Sequence, residues 1–301
     1  MLGHGPGAAT ARPGASAPGI GFQRPFGLWW GEVRRGAKPL SAATAAILLT
    51  LAACTAPPPP SLEPPLTYPP AARDRMLRIA TAEWEDWGRQ YDTAVPPALE
   101  SDPANFPRVL AYWRAVPEGV DPIARNRALY RQGSAALWRE PAWSAAFISF
   151  VMRSAGVDAR EFRPSASHAF YLDALIADAM RFPTMAPFVP YNVTERAPQV
   201  GDLVCADRSS RPLPGWRDRL QEAGRFRPMH CDIVVRVAPG VVEAVGGNIR
   251  DAVTLSSFRA DATGRLLPRP AGQPTWFAVL ENRLGRLPPW SSPSHNESPS
   301  S

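Results

Sequence analysis

Lysine and cysteine are scarce in this 301-residue chain, and each shortage narrows the possible classes of protein. Lys38 is the only lysine among 33 basic residues, and cysteine occurs three times, at Cys54, Cys205 and Cys231. Three cysteines are too few for a disulfide-dense mini-protein or for a zinc domain with four cysteine ligands. The chain also lacks a P-loop, because Gly246–Gly247 has neither its spacing nor its lysine. We therefore expect no cofactor and no bound metal.

The sequence has no apolar run long enough to cross a membrane as a mature helix. Its best candidate, Leu40–Ala53, has about 14 residues, whereas a spanning helix needs about 20. The run follows Arg34, Arg35 and Lys38 and ends at Cys54, which is typical of a signal peptide. Because a signal beginning at Met1 would carry an unusually long charged region, we expect translation to begin near Val33.

The segment Leu51–Cys54 resembles the bacterial lipobox, in which the cysteine is acylated and becomes the mature N-terminus. An ordinary secretory signal with a chance cysteine is the alternative. The resemblance implies an outer-membrane lipid anchor on Cys54, because Thr55 stands where an aspartate would favour retention in the inner membrane. The expected location is the periplasmic face of the outer membrane.

The positive charge of the chain belongs largely to the predicted leader. The formal net charge is +6, but residues 1–53 contain five of the basic residues and one of the acidic residues. The mature chain keeps 28 basic and 26 acidic residues, and no basic run or aromatic-interleaved basic patch remains in it. The sequence therefore predicts no nucleic-acid partner.

Proline marks the predicted domain boundaries. The 36 prolines are concentrated in part at two ends of the mature chain, which predicts an extended tether over residues 54–71 and a disordered tail over 288–301. Residues 1–53 form the predicted extension and signal peptide. A single globular domain is expected over residues 72–287.

Hydrophobic periodicity predicts helices followed by strands. Helical spacing is found over residues 71–90, 105–116, 122–132 and 141–155, and Ser165 is expected to cap a further helix ending at Arg181. Short β-branched or aromatic segments follow at 202–206, 231–237, 241–245, 252–255 and 276–280. This order predicts an α+β fold with N-terminal helices packed on a C-terminal antiparallel sheet.

Three polar residues follow the order of a nucleophile, a base and an orienting group. Ser144 lies at the start of the strongest predicted helix, whose N-terminus favours negative charge. His230 begins a predicted strand, and Asn248 follows Gly246–Gly247 one strand later. We therefore predict that Ser144 attacks a carbonyl, His230 accepts its proton and Asn248 orients the imidazole.

The segment from Trp143 to Phe147, with the histidine strand and the Gly-Gly-Asn turn, resembles NlpC-type and CHAP-type peptidoglycan amidases and peptidases. That resemblance implies a papain-like core and a cell-wall substrate. The nucleophile of those enzymes is cysteine, whereas this chain has Ser144. A serine hydroxyl is less acidic than a thiol and needs a well-aligned base.

Over residues 73–284 the chain more closely resembles a bacterial lipoprotein family, domain of unknown function 2272. This resemblance rests on the segments Glu83–Trp84, Trp143–Ser149, Ser167–His168, Gly201–Cys205, His230–Asp232 and Gly246–Asn248. That family implies no particular activity.

Each candidate residue also has a plainer interpretation. Ser144 is a rebuilt nucleophile, part of a site that binds without cutting, or a helix cap. His230 can be a strand-edge histidine, and Asn248 a turn residue. His168 is a candidate second base or substrate contact, with a surface position as the alternative. Glu83 is a candidate cleft residue that contacts substrate, with a structural position or a place at the rim as the plainer interpretation.

Trp143 precedes the predicted nucleophile and is a further cleft candidate. Cys205 and Cys231 lie on successive predicted strands and are expected to form a disulfide in an oxidising periplasm. Two free thiols, a reactive Cys231 and a zinc site are the alternatives. A Cys231–His230 pair is disfavoured because neighbouring strand residues point to opposite faces.

These observations predict a lipid-anchored envelope protein with a peptidoglycan amidase- or peptidase-like site in which serine replaces cysteine. Its expected partners are outer-membrane lipid, through acylated Cys54, and peptidoglycan or its fragments. The alternative is a non-catalytic peptidoglycan-binding or envelope-assembly lipoprotein.

Overall fold

The computed structural model describes residues 72–93 and 99–285. Within them lie five α-helices, which we number in chain order. These are α1 (Ala72–Asp86), α2 (Phe106–Arg114), α3 (Val120–Arg131), α4 (Ser144–Ser154) and α5 (His168–Arg181). The single-turn 3₁₀ helices Pro103–Asn105 and Pro117–Gly119 and the longer 3₁₀ segment Trp216–Glu222 lie between these elements and the strands.

One seven-stranded sheet contains every strand in the described part of the chain. The strands are β1 (Gln90–Tyr91), β2 (Phe188–Tyr191), β3 (Leu203–Asp207), β4 (Met229–Ala238), β5 (Val241–Ile249), β6 (Ala252–Arg259) and β7 (Thr275–Asn282). Their order across the sheet is β1-β6-β5-β4-β3-β7-β2. The central strands form an antiparallel meander, and β1 pairs in parallel with β6.

The fold is α+β, but the prediction of a purely antiparallel sheet was wrong. The two-residue strand β1, which comes from the helical half of the chain, makes the sheet mixed. Strand β2 was not predicted either, because its four residues include Pro190. Proline cannot donate to the ladder, and β2 accordingly lies at the edge of the sheet, where it pairs only with β7.

Helix α4 is the most deeply buried helix and packs on α2, β4 and β5. Eight of its 11 residues are buried, because its sequence is apolar on nearly every face. Close packing against the sheet depends on Gly247, since a Cβ there would lie 2.5 Å from Cβ of Phe147. A second apolar cluster, which includes Val204, Ala206 and Val234, covers the other face of the same strands.

The predicted signal peptide, Cys54, the proline-rich tether and the tail over 288–301 lie outside the described residues. Among the residues that are described, no helix is both long enough and apolar enough to cross a membrane.

Candidate functional site

Ser144 is the first residue of α4. The helix begins there after Pro141, and its N-cap residue, Trp143, makes no side-chain capping hydrogen bond. The amide of Phe147 donates to the carbonyl of Trp143, 2.9 Å away, and starts the helical ladder. The preceding amides, from Ser144 to Ala146, therefore have no partner within the helix. This helix end favours negative charge beside the Ser144 hydroxyl.

The Ser144 hydroxyl is paired with His168, the first residue of α5. Ser144 Oγ lies 2.8 Å from His168 Nε2, and the other ring nitrogen, Nδ1, lies 2.5 Å from the Tyr171 hydroxyl. Ser144 and His168 are only 5% and 4% exposed. The chain of contacts runs from serine through imidazole to tyrosine, with a phenol in the place where a catalytic triad has a carboxylate.

Burial and neighbouring positive charge keep His168 neutral. Its pKa is well below the usual 6.5, chiefly because burial disfavours the imidazolium and secondarily because His230 and Arg208 lie nearby. Burial and the charge of Asp232 raise the pKa of Tyr171 well above 10, so the phenol is also neutral. A neutral imidazole has one nitrogen free to accept a proton, which a general base requires.

His230 is paired with Asp232 instead of Ser144. His230 Nε2 donates to Asp232 Oδ1 at 2.8 Å, and the two residues share one face of β4 because side chains alternate along a strand. The His230 and His168 rings are neighbours, with centroids 5.3 Å apart. His230 Nδ1 is buried and has no hydrogen-bond partner among the described residues.

The predicted triad is therefore assembled differently from the expectation. In the structure the nitrogen beside Ser144 belongs to His168, which the sequence had offered as a second base, and not to His230. The predicted orienting residue, Asn248, donates from Nδ2 to Glu100 Oε2 at 2.8 Å. Its φ of +57° also agrees with the turn interpretation.

Glu100 ties Asn248 to the start of α4. Its Oε2 accepts from Asn248 and, at 2.6 Å, from Nε1 of Trp143, the residue before Ser144. Burial raises the pKa of Glu100 to about 7, and the charge of Asp251 opposes its ionisation further. The ring of Trp143 also stacks on Trp87, with centroids 5.5 Å apart. Trp143 thus anchors the helix start by its side chain.

Glu83 has a structural position. It accepts a hydrogen bond from the Tyr112 hydroxyl, which itself accepts one from Trp87 Nε1 at 2.9 Å. Burial raises the pKa of the Glu83 carboxyl. In the described part of the chain, Glu83 lines neither of the two pockets that adjoin the site.

Cys205 and Cys231 form a disulfide between neighbouring positions of β3 and β4. Both are fully buried and belong to the apolar cluster that includes the α4 side chains. By strand alternation, His230 and Asp232 point to the opposite face from Cys231. Gly246 makes room for the Asp232 carboxylate, since a Cβ there would lie 1.8 Å from Oδ1.

Two open pockets adjoin these groups. One, of about 220 Å³, is lined by Ser144 and His168 together with Pro141, Ala142, Ala166, Ser167, Arg208, Phe226, Arg227, Pro228 and Met229. The other, of about 300 Å³, is lined by His230, Asp232 and Asn248 together with Asp92, Arg208, Ile249, Arg250, Ser256, Phe258, Arg269, Gln273 and Pro274. Arg208 is common to both.

Sequence reasoning assigned no role to four residues of this arrangement: Glu100, Tyr171, Arg208 and Asp232. Two of them carried a local signal. Tyr171 follows His168 by three residues and so shares its helix face, and Asp232 follows His230 by two and so shares its strand face. Glu100 and Arg208 have no comparable local signal. No group of three or more His, Cys, Asp or Glu side chains suited to a metal occurs in residues 72–93 and 99–285.

Comparison with curated proteins and with solved structures found no match. The family model described as an uncharacterized protein conserved in bacteria, DUF2272, matches residues 100–282. The match covers more than half of the chain and includes Glu100, Ser144, His168, His230 and Asn248. The chain therefore belongs to the DUF2272 family of bacterial proteins.

Proposed function

We propose that this protein is a lipid-anchored envelope hydrolase that cleaves an amide or peptide bond of cell-wall peptidoglycan, with Ser144 as the nucleophile. The observation that carries the proposal is the 2.8 Å contact between Ser144 Oγ and His168 Nε2 at the N-terminus of α4. A nucleophile within hydrogen-bond reach of a base that is itself held by a third group is the arrangement that acyl transfer needs. The cell-wall substrate rests on the resemblance of the Trp143–Phe147 segment to NlpC-type and CHAP-type enzymes.

The mechanism uses His168 as the base. The Ser144 hydroxyl donates its proton to Nε2 as Oγ attacks the carbonyl carbon, while Nδ1–H donates to the Tyr171 hydroxyl. The amides of the first turn of α4 face the developing oxyanion. The imidazolium returns its proton to the leaving amine, and water then hydrolyses the acyl-serine.

The test is digestion of purified peptidoglycan with the full chain, with released fragments identified by mass spectrometry. We expect new amine and carboxyl ends, and their loss in Ser144→Ala. Ser154→Ala is the matched control, because Ser154 is exposed at the other end of the same 11-residue helix. Equal release by Ser144→Ala and the wild type would exclude Ser144 as the nucleophile.

A second candidate, binding without cleavage, is favoured by the phenol behind His168. When the Tyr171 hydroxyl donates to Nδ1, the ring proton sits on Nε2 and points at Ser144, so the imidazole cannot accept from the serine. A tyrosine also stabilises an imidazolium less than a carboxylate does. Sedimentation with insoluble peptidoglycan that releases no fragments, and that is weakened in His168→Ala, would support this function.

The proposed anchor is an acylated Cys54 that holds the domain at the periplasmic face of the outer membrane. Metabolic labelling with a radioactive fatty acid tests it in cells. Label should enter the wild-type protein and not Cys54→Ala, and the labelled protein should fractionate with outer membranes. Label retained by Cys54→Ala would contradict the anchor.

A further inference from the structure

Arg208 lies at the junction of the two pockets, and its guanidinium forms no ion pair with an acidic side chain in the described residues. It follows the last residue of β3, and its backbone amide donates to the carbonyl of Pro228 at 2.9 Å, so the main chain is held in place. Its side chain is exposed and makes no hydrogen bond or ion pair within residues 72–93 and 99–285. An arginine that lines two cavities and pairs with nothing in the described protein is available to a ligand.

The neighbouring charges leave Arg208 uncompensated. Asp232 is hydrogen-bonded to His230, and the charges of Asp232 and Asp92 act on Arg269. Arg269 lies over the rings of Phe258 and Trp276, at 5.3 and 4.9 Å from their centroids. Each acid in the second pocket therefore already faces a cationic partner.

Arg208 acts electrostatically on both sides of the junction. Its charge contributes to the lowered pKa of His168 in the first pocket and of Arg269 in the second. In both cases burial is the larger cause. These effects agree with the pocket geometry, in which one guanidinium borders the Ser144–His168 pair and the His230–Asp232 pair alike.

We propose that Arg208 is a carboxylate-binding subsite, so that the substrate is an acyl compound with a free carboxylate close to the bond that Ser144 attacks. A guanidinium binds a carboxylate through two parallel hydrogen bonds. We choose a carboxylate over a phosphate because the proposed substrate is a cell-wall peptide, and peptides carry carboxylates. This inference rests on the proposed function and specifies its substrate class.

The test measures binding, so that it does not depend on turnover. Soluble muropeptides with free carboxylates, and the same muropeptides with those carboxylates converted to amides, are titrated into the full-length Ser144→Ala protein by calorimetry. We expect the carboxylate form to bind roughly 10- to 100-fold more tightly, the range of a charged hydrogen bond. Adding Arg208→Met should remove that difference by weakening only the carboxylate form.

Two further variants make the result specific. Arg211→Met, which removes an exposed arginine that lines neither pocket, should keep the full preference. Arg208→Lys should keep part of it, because an ammonium retains the charge and loses the two-pronged geometry. Equal binding of the two muropeptide forms, a preference that survives Arg208→Met, or no binding of either form would overturn the subsite. If the wild-type protein releases no fragments in the digestion, the proposed function is overturned, whereas the binding measurement alone decides the Arg208 subsite.

Discussion

Replacing Glu100 by glutamine should stabilise the protein at alkaline pH and leave its stability unchanged in acid. Glu100 is 3% exposed, and its Oε2 accepts hydrogen bonds from Trp143 and Asn248. Glutamine keeps an accepting oxygen of the same shape and removes the charge. The variant therefore isolates the cost of ionising this buried carboxyl group.

The magnitude follows from the pKa. Burial raises the pKa of Glu100 from 4.5 in the unfolded chain to about 7 in the folded protein. Each tenfold change in an acid constant corresponds to 1.36 kcal/mol, so the raised pKa corresponds to about 3 kcal/mol. Asn248, which donates to Glu100, lines an open pocket, and solvent there screens part of the charge, which reduces this to about 2 kcal/mol.

The direction is fixed by proton linkage. Between pH 4.5 and 7 the folded protein retains a proton on Glu100 that the unfolded chain has released. The contribution of Glu100 to stability is therefore largest below pH 4.5 and declines as the pH rises to about 7. Glu100→Gln should exceed the wild type by about 2 kcal/mol at pH 8 and match it at pH 4.

Urea unfolding at a series of pH values, followed by tryptophan fluorescence, measures this difference. Subtracting the free energy of unfolding of the variant from that of the wild type cancels the titration of every other group, including His168. Glu140→Gln, at an exposed carboxylate, is the control and should give a flat difference. If the free energies of unfolding of the wild type and Glu100→Gln also differ by the same amount at every pH, the idea that a buried, protonated Glu100 holds the start of α4 is refuted.

Ser144→Cys should place a reactive thiol at the N-terminus of α4, because a helix N-terminus lowers the pKa of a thiol below its usual value of about 8.5. Iodoacetamide at pH 7 should therefore alkylate this thiol faster than the thiol of Ser154→Cys. A slower reaction would contradict an activating site. Replacing both Cys205 and Cys231 by alanine should lower the free energy of unfolding by about 3 kcal/mol, because the disulfide closes a loop with a sequence separation of 26 residues; an unchanged urea midpoint would contradict this. Gly247→Ala should cost about 1–3 kcal/mol, because its Cβ would meet Phe147, and an unshifted thermal midpoint would show that α4 can move away freely.

The helices were largely predictable because their signals are local. The expected helix over 141–155 corresponds to α4 at Ser144–Ser154, and the expected helix over 122–132 corresponds to α3 at Val120–Arg131. Apolar spacing, a preceding proline and a following glycine act within one or two turns. The two-residue strand β1 could not be predicted, because its partner β6 follows it by more than 150 residues.

The site was less predictable because its pairing depends on how the elements pack. Ser144 and His230 could be selected from their positions at the predicted starts of elements, and His168 from its place on the helix predicted after Ser165. Which histidine meets the serine depends on where α5 begins relative to α4. In the folded protein the first residues of the two helices, Ser144 and His168, face each other, whereas His230 donates a hydrogen bond to Asp232.

The sequence by itself determined the α+β class, the buried helix that begins at Ser144, and the small set of residues able to carry chemistry. Composition and periodicity suffice for these, because they reflect local propensity and the burial of apolar surface. Only the tertiary structure decided that His168 faces Ser144, that Glu100 links Trp143 to Asn248, and that Arg208 borders both pockets. These contacts join residues far apart in the chain, and no local rule of sequence specifies a distance across a folded core.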